Sequence, residues 1–304
     1  MRFGVIANFG RPGASDTVDL IGAWCQKNGH QAFVCNDSPT AEIDQKEDVV
    51  SSGDLCTRAD FLISCGGDGT MLSTARALGK NTIPILGINL GSLGFLTQRT
   101  PEQLESSLER MVRGDFRIEE RLVLKTEIVD GPPLDFPYSL NDVVIDKGNV
   151  SRVINLSLYA NGEYICSYTA DGLIVATPTG STAYSLAVGG PILNPNMQAF
   201  IASPISPFSL TSRPLIFPPE FVLEVRVRSE HGNALLTIDG QVATHFSPNG
   251  SIRITRAGHS VKFITFADES FYDVLRRKLH WGKLPVVDYK KTDFLKNNPR
   301  NNQE

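Results

Sequence analysis

The run Cys65-Gly66-Gly67-Asp68-Gly69-Thr70 sets one carboxylate among three glycines, between a buried apolar stretch and a helical pattern. Glycine lets the backbone turn sharply and bring bare N–H groups close to an anion, and the following helix points its positive end at the same place. A phosphate suits such a place. An aspartate does not attract phosphate, so Asp68 suggests work on a proton or a metal; the run equally fits a tight strand-to-helix turn capped by Asp68. A second glycine-rich stretch, residues 87–95 with Asn89 and Gly91, also follows a strand-like run. Ligands of open α/β sheets bind at such strand ends, although a plain connection fits the residues too. Neither stretch has the G-x-G-x-x-G spacing of dinucleotide folds, and the chain has no G-x-x-x-x-G-K-[ST] loop.

A third segment runs through Thr177-Pro178-Thr179-Gly180-Ser181-Thr182-Ala183-Tyr184-Ser185 to Gly189-Gly190-Pro191. Its hydroxyls and N–H groups can meet a polar ligand, and Tyr184 can lie against a ring. Asn141-Asp142 could pair an amide and a carboxylate against sugar hydroxyls, or form a simple turn. Asp239-Gly240-Gln241 has the composition of a hairpin turn. Other chemistries lack their residues. There is no G-x-S-x-G elbow, the five histidines show no H-E-x-x-H spacing, and Arg276-Arg277-Lys278 reads as a solvated face.

Several elements must position these groups. The first third alternates strand-like runs (3–9, 31–35, 61–65, 83–88) with helical patterns (15–28, 71–78, 100–114), the grammar of a parallel sheet with crossover helices. Thr100, Pro101 and Gln103 form a helix start, and Gly114 a stop. Residues 41–54 read as a polar surface loop or short helix. After Phe116 strands dominate: Leu223, Val225 and Val227 alternate with charged residues, Asn161-Gly162 marks a hairpin, and 251–255 and 261–266 read as two strands separated by Gly258. Helical period returns at Glu269. The expected division is an open α/β domain over 1–115, rejoined by a late helix over 269–285, a β-sandwich-like domain over 116–268, and a disordered tail over 296–304.

Composition narrows the function. The 304 residues suit about two domains, and 41% apolar content suits an ordinary globular protein. A net charge of -4 gives no global basic field for nucleic acid or an anionic membrane, and no apolar run is long enough to span one. The five cysteines contain no C-x-x-C pair and read as thiols of a reducing compartment, which predicts a cytoplasmic location.

Taken in order and spacing, G-G-D-G-T at 66–70, the 87–97 segment, Asn141-Asp142 and the 171–191 stretch resemble the bacterial NAD kinases from the first strand to about residue 282. G-G-D-G-T alone is shared with lipid kinases and phosphofructokinases; T-P-T-G-S-T-A-Y-S followed by G-G-P-I is much narrower. The resemblance implies transfer of the γ-phosphoryl group of ATP, or of polyphosphate, to the adenosine ribose 2′-hydroxyl of NAD, with Mg²⁺ or a similar divalent cation. It implies Asp68 as proton acceptor, with Gly66, Gly67, Thr70, Asn89 and Gly91 forming the phosphate loops. Gly69, Asn141, Asp142, Arg152, Asp171, Thr182, Ala183, Tyr184, Ser185 and Gln241 would form the dinucleotide pocket, part of it from a neighbouring subunit of a homodimer or homotetramer. Ala187 and Thr169 depart from the family's common residues, a Ser and a basic residue. The rivals are a lipid kinase, which would need an acyl cavity, and a non-catalytic NAD(P)-binding sensor, which would lose the acid.

Overall fold

The computed structural model describes residues 1–35, 49–148, 152–229 and 234–281. The first part holds strands β1 (Arg2–Ala7), β2 (Gln31–Cys35), β3 (Val49–Val50), β4 (Phe61–Gly66) and β5 (Ile85–Asn89), with helices α1 (Ala14–Lys27), α2 (Ser52–Arg58), α3 (Asp68–Leu78) and α4 (Leu104–Arg113). These strands pair in parallel in the order β5-β4-β1-β2-β3. The chain leaves β1 toward β2 and β3, then returns to β1's other side for β4 and β5. The loops after β1 and β4 therefore meet at a topological switch point, where this architecture opens a crevice. β4 and β5 are buried almost throughout, as befits central strands covered on both faces.

The second part is built of β6 (Arg117–Val129), β7 (Tyr138–Ser139), β8 (Asp142–Asp146), β9 (Ile154–Ala160), β10 (Glu163–Ala170), β11 (Gly172–Ala176), β12 (Phe200–Ile205), β13 (Leu215–Phe217), β14 (Leu223–Arg228), β15 (Ala234–Ile238), β16 (Val242–Phe246) and β17 (Ser251–Thr265). One antiparallel sheet runs β13-β12-β11-β8-β15-β16. Its inward residues Val143, Ile145, Leu173, Val175 and Phe200 pack on Leu122, Leu156, Leu158, Val225 and Ile254 of the other sheet, giving a sandwich. The alternation at 223–228 is borne out, with Leu223, Val225 and Val227 all buried.

The two strands expected over 251–266 are one. β17 is continuous, with a register shift between Arg256 and Ser260 where Gly258 lies. Its first half pairs with β14 and its second half meets β5 in parallel at Phe263 and Ile85, so a single 11-stranded sheet passes through both parts. Gly258 makes a bulge rather than a turn because β6 continues beside it and keeps the ladder in place.

α3 starts at Asp68, three residues before the apolar periodicity, because Gly67 caps it in extended conformation. The helix predicted over 100–114 opens as a 3-10 turn over Pro101–Gln103 and becomes α4, and Gly114 closes it at φ 74. Ser51 caps α2 through its hydroxyl, which accepts the Asp54 N–H; residues 41–48, the rest of the polar stretch, lie outside the described residues. α5 (Tyr184–Ala187) and α6 (Phe271–Leu279) complete the helices. α6 returns to the first part, with Lys278 Nζ 4.7 Å above the Phe95 ring. Asp268, just before α6, takes both Arg99 and Arg110. The tail over 296–304 lies outside the described residues.

Candidate functional site

Asp68 is the first residue of α3 and stands over the crevice. Its Oδ2 accepts the Phe95 N–H at 2.8 Å and its Oδ1 the Leu96 N–H at 2.9 Å, with the Thr97 hydroxyl at 3.4 Å. The glycine-rich segment after β5 thus folds down onto the carboxylate and fixes its plane. Gly66 lies against the Thr70 side chain, and the Gly67 N–H points to the Thr70 hydroxyl at 3.4 Å. Asn89 is buried and shapes the next loop, donating to the Ser92 carbonyl and accepting the Gly91 N–H at 2.9 Å. The Leu90 N–H donates to the Gly66 carbonyl at 2.8 Å, which joins the two glycine-rich loops edge to edge.

The hairpin between β15 and β16 reaches across from the sandwich. Gln241 Nε2 donates to the Gly69 carbonyl at 2.9 Å, while its Oε1 accepts from Arg76 Nη1 at 2.7 Å and from the Ser73 hydroxyl at 3.3 Å. Asp239, two residues earlier and at φ 51, gathers three backbone N–H groups, those of Leu140 (2.9 Å), Asn141 (2.7 Å) and Asp142 (3.1 Å). Those bonds hold the Asn141-Asp142 corner at the start of β8. Burial raises Asp239 above the usual carboxylate range, and the three N–H groups and Arg76 oppose that rise.

Asp142 is buried beside it. Burial first, and the nearby Asp239 charge second, push its carboxyl up to about 7, against a hydrogen bond from the Tyr184 N–H. The corner carrying Tyr184 is built by close approach. The Thr177 hydroxyl donates to the Leu140 carbonyl at 2.5 Å, and a Cβ on Gly180 would stand 2.0 Å from the Asn141 carbonyl oxygen, so only glycine lets these backbones touch. Thr182 and Ala183 lie on the 3-10 turn leading into α5. Ser185 is buried at 3.3 Å from the Ser203 hydroxyl, whereas Tyr184 remains 46% exposed.

Asp68, Gly69, Gln241, Asn141, Asp142 and the 182–185 turn therefore form one hydrogen-bonded constellation. Asp171 and Arg152 do not join it. Asp171 precedes β11, whose Gly172 pairs with Asp146 while Ala176 pairs with Asp142, so Asp171 sits at the far end of β8. Four residues at about 3.3 Å each separate the two ends by about 13 Å. There Lys147 Nζ contacts Asp171 at 2.5 Å. Arg152 is exposed just ahead of β9, whose first residue, Ile154, pairs with Ala170. Thr169 bonds to Asn155 nearby, and Ala187 is exposed at the end of α5.

Sequence reasoning missed three groups. Asp239 looked like a turn residue, yet its carboxylate organises the Asn141-Asp142 corner. Arg76 belongs to no motif. Gly94 passed as one glycine of a loop, although a Cβ there would lie 2.0 Å from Asp68 Oδ1. The signal for Gly94 was its place in the 87–97 segment; the other two had none without the fold.

Known proteins align with this arrangement. A family model for the ATP-NAD kinase N-terminal domain matches residues 3–116, and one for the C-terminal domain matches residues 140–266. An NAD kinase of Geobacter metallireducens is 41% identical over 235 residues, which is 77% of this chain and 83% of that protein. One from Solibacter usitatus is 38% identical over 288 residues, 92% of this chain and 97% of that protein. Among solved structures, an Archaeoglobus fulgidus NAD kinase in complex with ATP superposes with a TM-score of 0.75 at 27% identity, covering 92% of this chain and 99% of the other. Yeast NADH kinase complexed with NADH gives 0.80 at 24% identity, covering 93% and 89%, and speaks for the fold alone.

Proposed function

Because the chain belongs to the NAD kinase family, we propose that Asp68 is the group toward which NAD turns the 2′-hydroxyl of its adenosine ribose, there to receive the γ-phosphoryl group of ATP. The chain is an enzyme, a phosphotransferase acting on NAD. Such transfer depends on positioning and charge neutralisation more than on covalent chemistry. Two backbone N–H groups hold the Asp68 carboxylate in one plane, and its oxygens keep lone pairs to receive the hydroxyl proton. Gly66, Gly67, Thr70, Asn89 and Gly91 supply the backbone that cradles the donor's phosphates. ATP is favoured over polyphosphate as donor by the ATP carried in the Archaeoglobus relative.

Asn141 and Asp142 take the ribose hydroxyls. A carboxyl with a pKa of about 7 can donate to one hydroxyl or accept from another at neutral pH. Thr182, Ala183 and Ser185 present the turn on which the exposed Tyr184 ring packs against the dinucleotide. Gln241 ties this half of the pocket to Gly69 beside the acid. That continuous set of bonds, from Asp68-Gly69 through Gln241 and Asp239 to Asn141-Asp142 and Tyr184, is the observation that carries the reading.

A divalent cation fits as a companion of the donor. Among the described residues no group of three His, Cys, Asp or Glu could enclose one, and Mg²⁺ commonly binds through substrate phosphates, waters and one or two carboxylates. Asp68 is the carboxylate that would share it, and the cation would neutralise charge on the phosphoryl oxygens.

We further propose that a second copy completes the pocket. Asp171 lies about 13 Å along the sheet from Asp142, outside the bonded set, and Arg152 precedes the strand that pairs at that end. At their end of the sheet the Phe208 N–H bonds to the Thr169 carbonyl, and Phe208 and Leu210 are 84% and 91% exposed. Apolar side chains that open beside Asp171 and Arg152 are what a homodimer or homotetramer contact would cover. No helix among the described residues is long and apolar enough to cross a membrane.

Incubating the full chain with ATP, Mg²⁺ and NAD, then reading NADP with an NADP-specific dehydrogenase, tests the activity. NADP formation is expected. Its absence, with NAD still bound, would favour the sensor; phosphorylation of diacylglycerol supplied in place of NAD in a parallel incubation would favour the lipid kinase.

A further inference from the structure

At the carboxyl-terminal end of α3 lies a cavity of about 200 Å³. An apolar cavity of about 150 Å³ is enough to hold benzene, so this one has room for a slightly larger flat molecule. Ala75, Val123 and Val261 form its apolar walls, and the Tyr138 and His259 rings meet edge to face at 4.6 Å beside them. Phe136 closes the mouth, its ring 5.7 Å from the Arg76 guanidinium.

Lys80 lines the rim and has no ion pair among the described residues. Two acids also line the cavity. The carboxylate of Asp239 is already bound by three N–H groups and opposed by Arg76, and Asp135 sits exposed at the lip, where water screens it. Burial and Lys80 hold His259 below the usual histidine range, so near neutral pH it presents a flat uncharged ring.

We propose that this cavity is a second small-molecule site, separate from the dinucleotide cleft, that takes a flat one- or two-ring aromatic acid and acts on the reaction through Arg76. The ring lies between the apolar wall and Tyr138, and the acid group meets Lys80. The coupling follows from one bond: Arg76 lines the cavity and donates to Gln241 Oε1, which holds Gly69. An acid in the cavity competes for that guanidinium and loosens Gln241, so NAD and the acid weaken each other by the same factor.

The test is calorimetric titration of the full chain with 2-naphthoate and with the uncharged 2-naphthalenemethanol, at increasing NAD. One naphthoate per chain is expected, bound about tenfold more tightly than the alcohol. NAD should weaken it by about fivefold and then no further. Lys80→Gln, on the cavity rim and outside the dinucleotide site, should cost about tenfold in naphthoate affinity and leave the Tm of the free protein unchanged. No binding at about 1 mM, competition with NAD that grows without limit, wild-type affinity in Lys80→Gln, or equal binding of the alcohol would each overturn the proposal. This binding readout is independent of whether the chain forms NADP, so its failure leaves the proposed reaction standing.

Discussion

Gly94 and Asp68 are in such close contact that a Cβ on the glycine would stand 2.0 Å from the carboxylate Oδ1 and 2.5 Å from the Thr97 hydroxyl. The acid is held in place as much by what is missing at position 94 as by the N–H groups that bind it. Gly94→Ala must therefore displace either the loop or the carboxylate. We expect kcat to fall at least tenfold with a smaller change in the KM for NAD, together with a loss of about 1–3 kcal/mol of stability from overpacking. Wild-type kcat in a crystal-clear single-turnover assay would contradict it.

Asp68→Asn keeps the shape and removes the proton acceptor. Single-turnover phosphoryl transfer at saturating NAD should slow by roughly 10²–10⁴, while NAD affinity changes much less. A variant that retains more than about a tenth of the rate would leave the carboxylate a structural cap.

Gln241→Ala cuts the only side-chain bond described between the β15–β16 hairpin and Gly69. The Arg76 guanidinium also loses its acceptor. With about 1–2 kcal/mol at stake, kcat/KM for NAD should drop about five- to thirtyfold. Steady-state kinetics with unchanged kcat/KM would show that the hairpin does not position the site.

Asp142 makes stability depend on pH in a definite sense. Its folded pKa of about 7 lies above the unfolded value, so the folded state binds more protons between about pH 4 and 7. That contribution is complete below about pH 4 and is lost as the pH rises through 7. Thermal melts of Asp142→Asn should fall less steeply over this window than those of the wild type. Parallel curves would show that Asp142 titrates alike in both states.

Asp68→Asn and Asp171→Ala chains, each inactive alone, should restore activity when unfolded together and reassembled. In a shared-site dimer one pocket of each mixed pair is intact, which sets a ceiling of about a quarter of wild-type activity. No recovery, or a fully active monomer in sedimentation equilibrium, would place the whole pocket in one chain.

Local chemistry made much of this fold legible. Thr100, Pro101, Gln103 and Gly114 bracketed α4 because caps act within a few residues of themselves. Asn161 and Gly162, at φ 51 and 84, formed the β9–β10 hairpin that their dipeptide announced. The G-G-D-G-T run displayed its acid openly. What stayed hidden depends on partners distant in sequence. Asp239 meets residues 97 to 99 positions away, and Arg76 meets Gln241 165 positions away. Gly258 looked like a separator because the strand that bridges it, β6, lies more than a hundred residues earlier.

The continuous β17 gives the molecule a beam rather than a hinge. Along its length β6 pairs on one side, and β14 and then β5 take up the other. Twisting one half against the other would strain that ladder along its whole span, so the crevice over Asp68 is set by the stiffness of a sheet. A cut at the junction before β6 would leave β5 as a raw edge of unsatisfied amides and carbonyls, ready to seize any passing strand. Fragments divided there should clump rather than dissolve, and the intact chain should melt in one step.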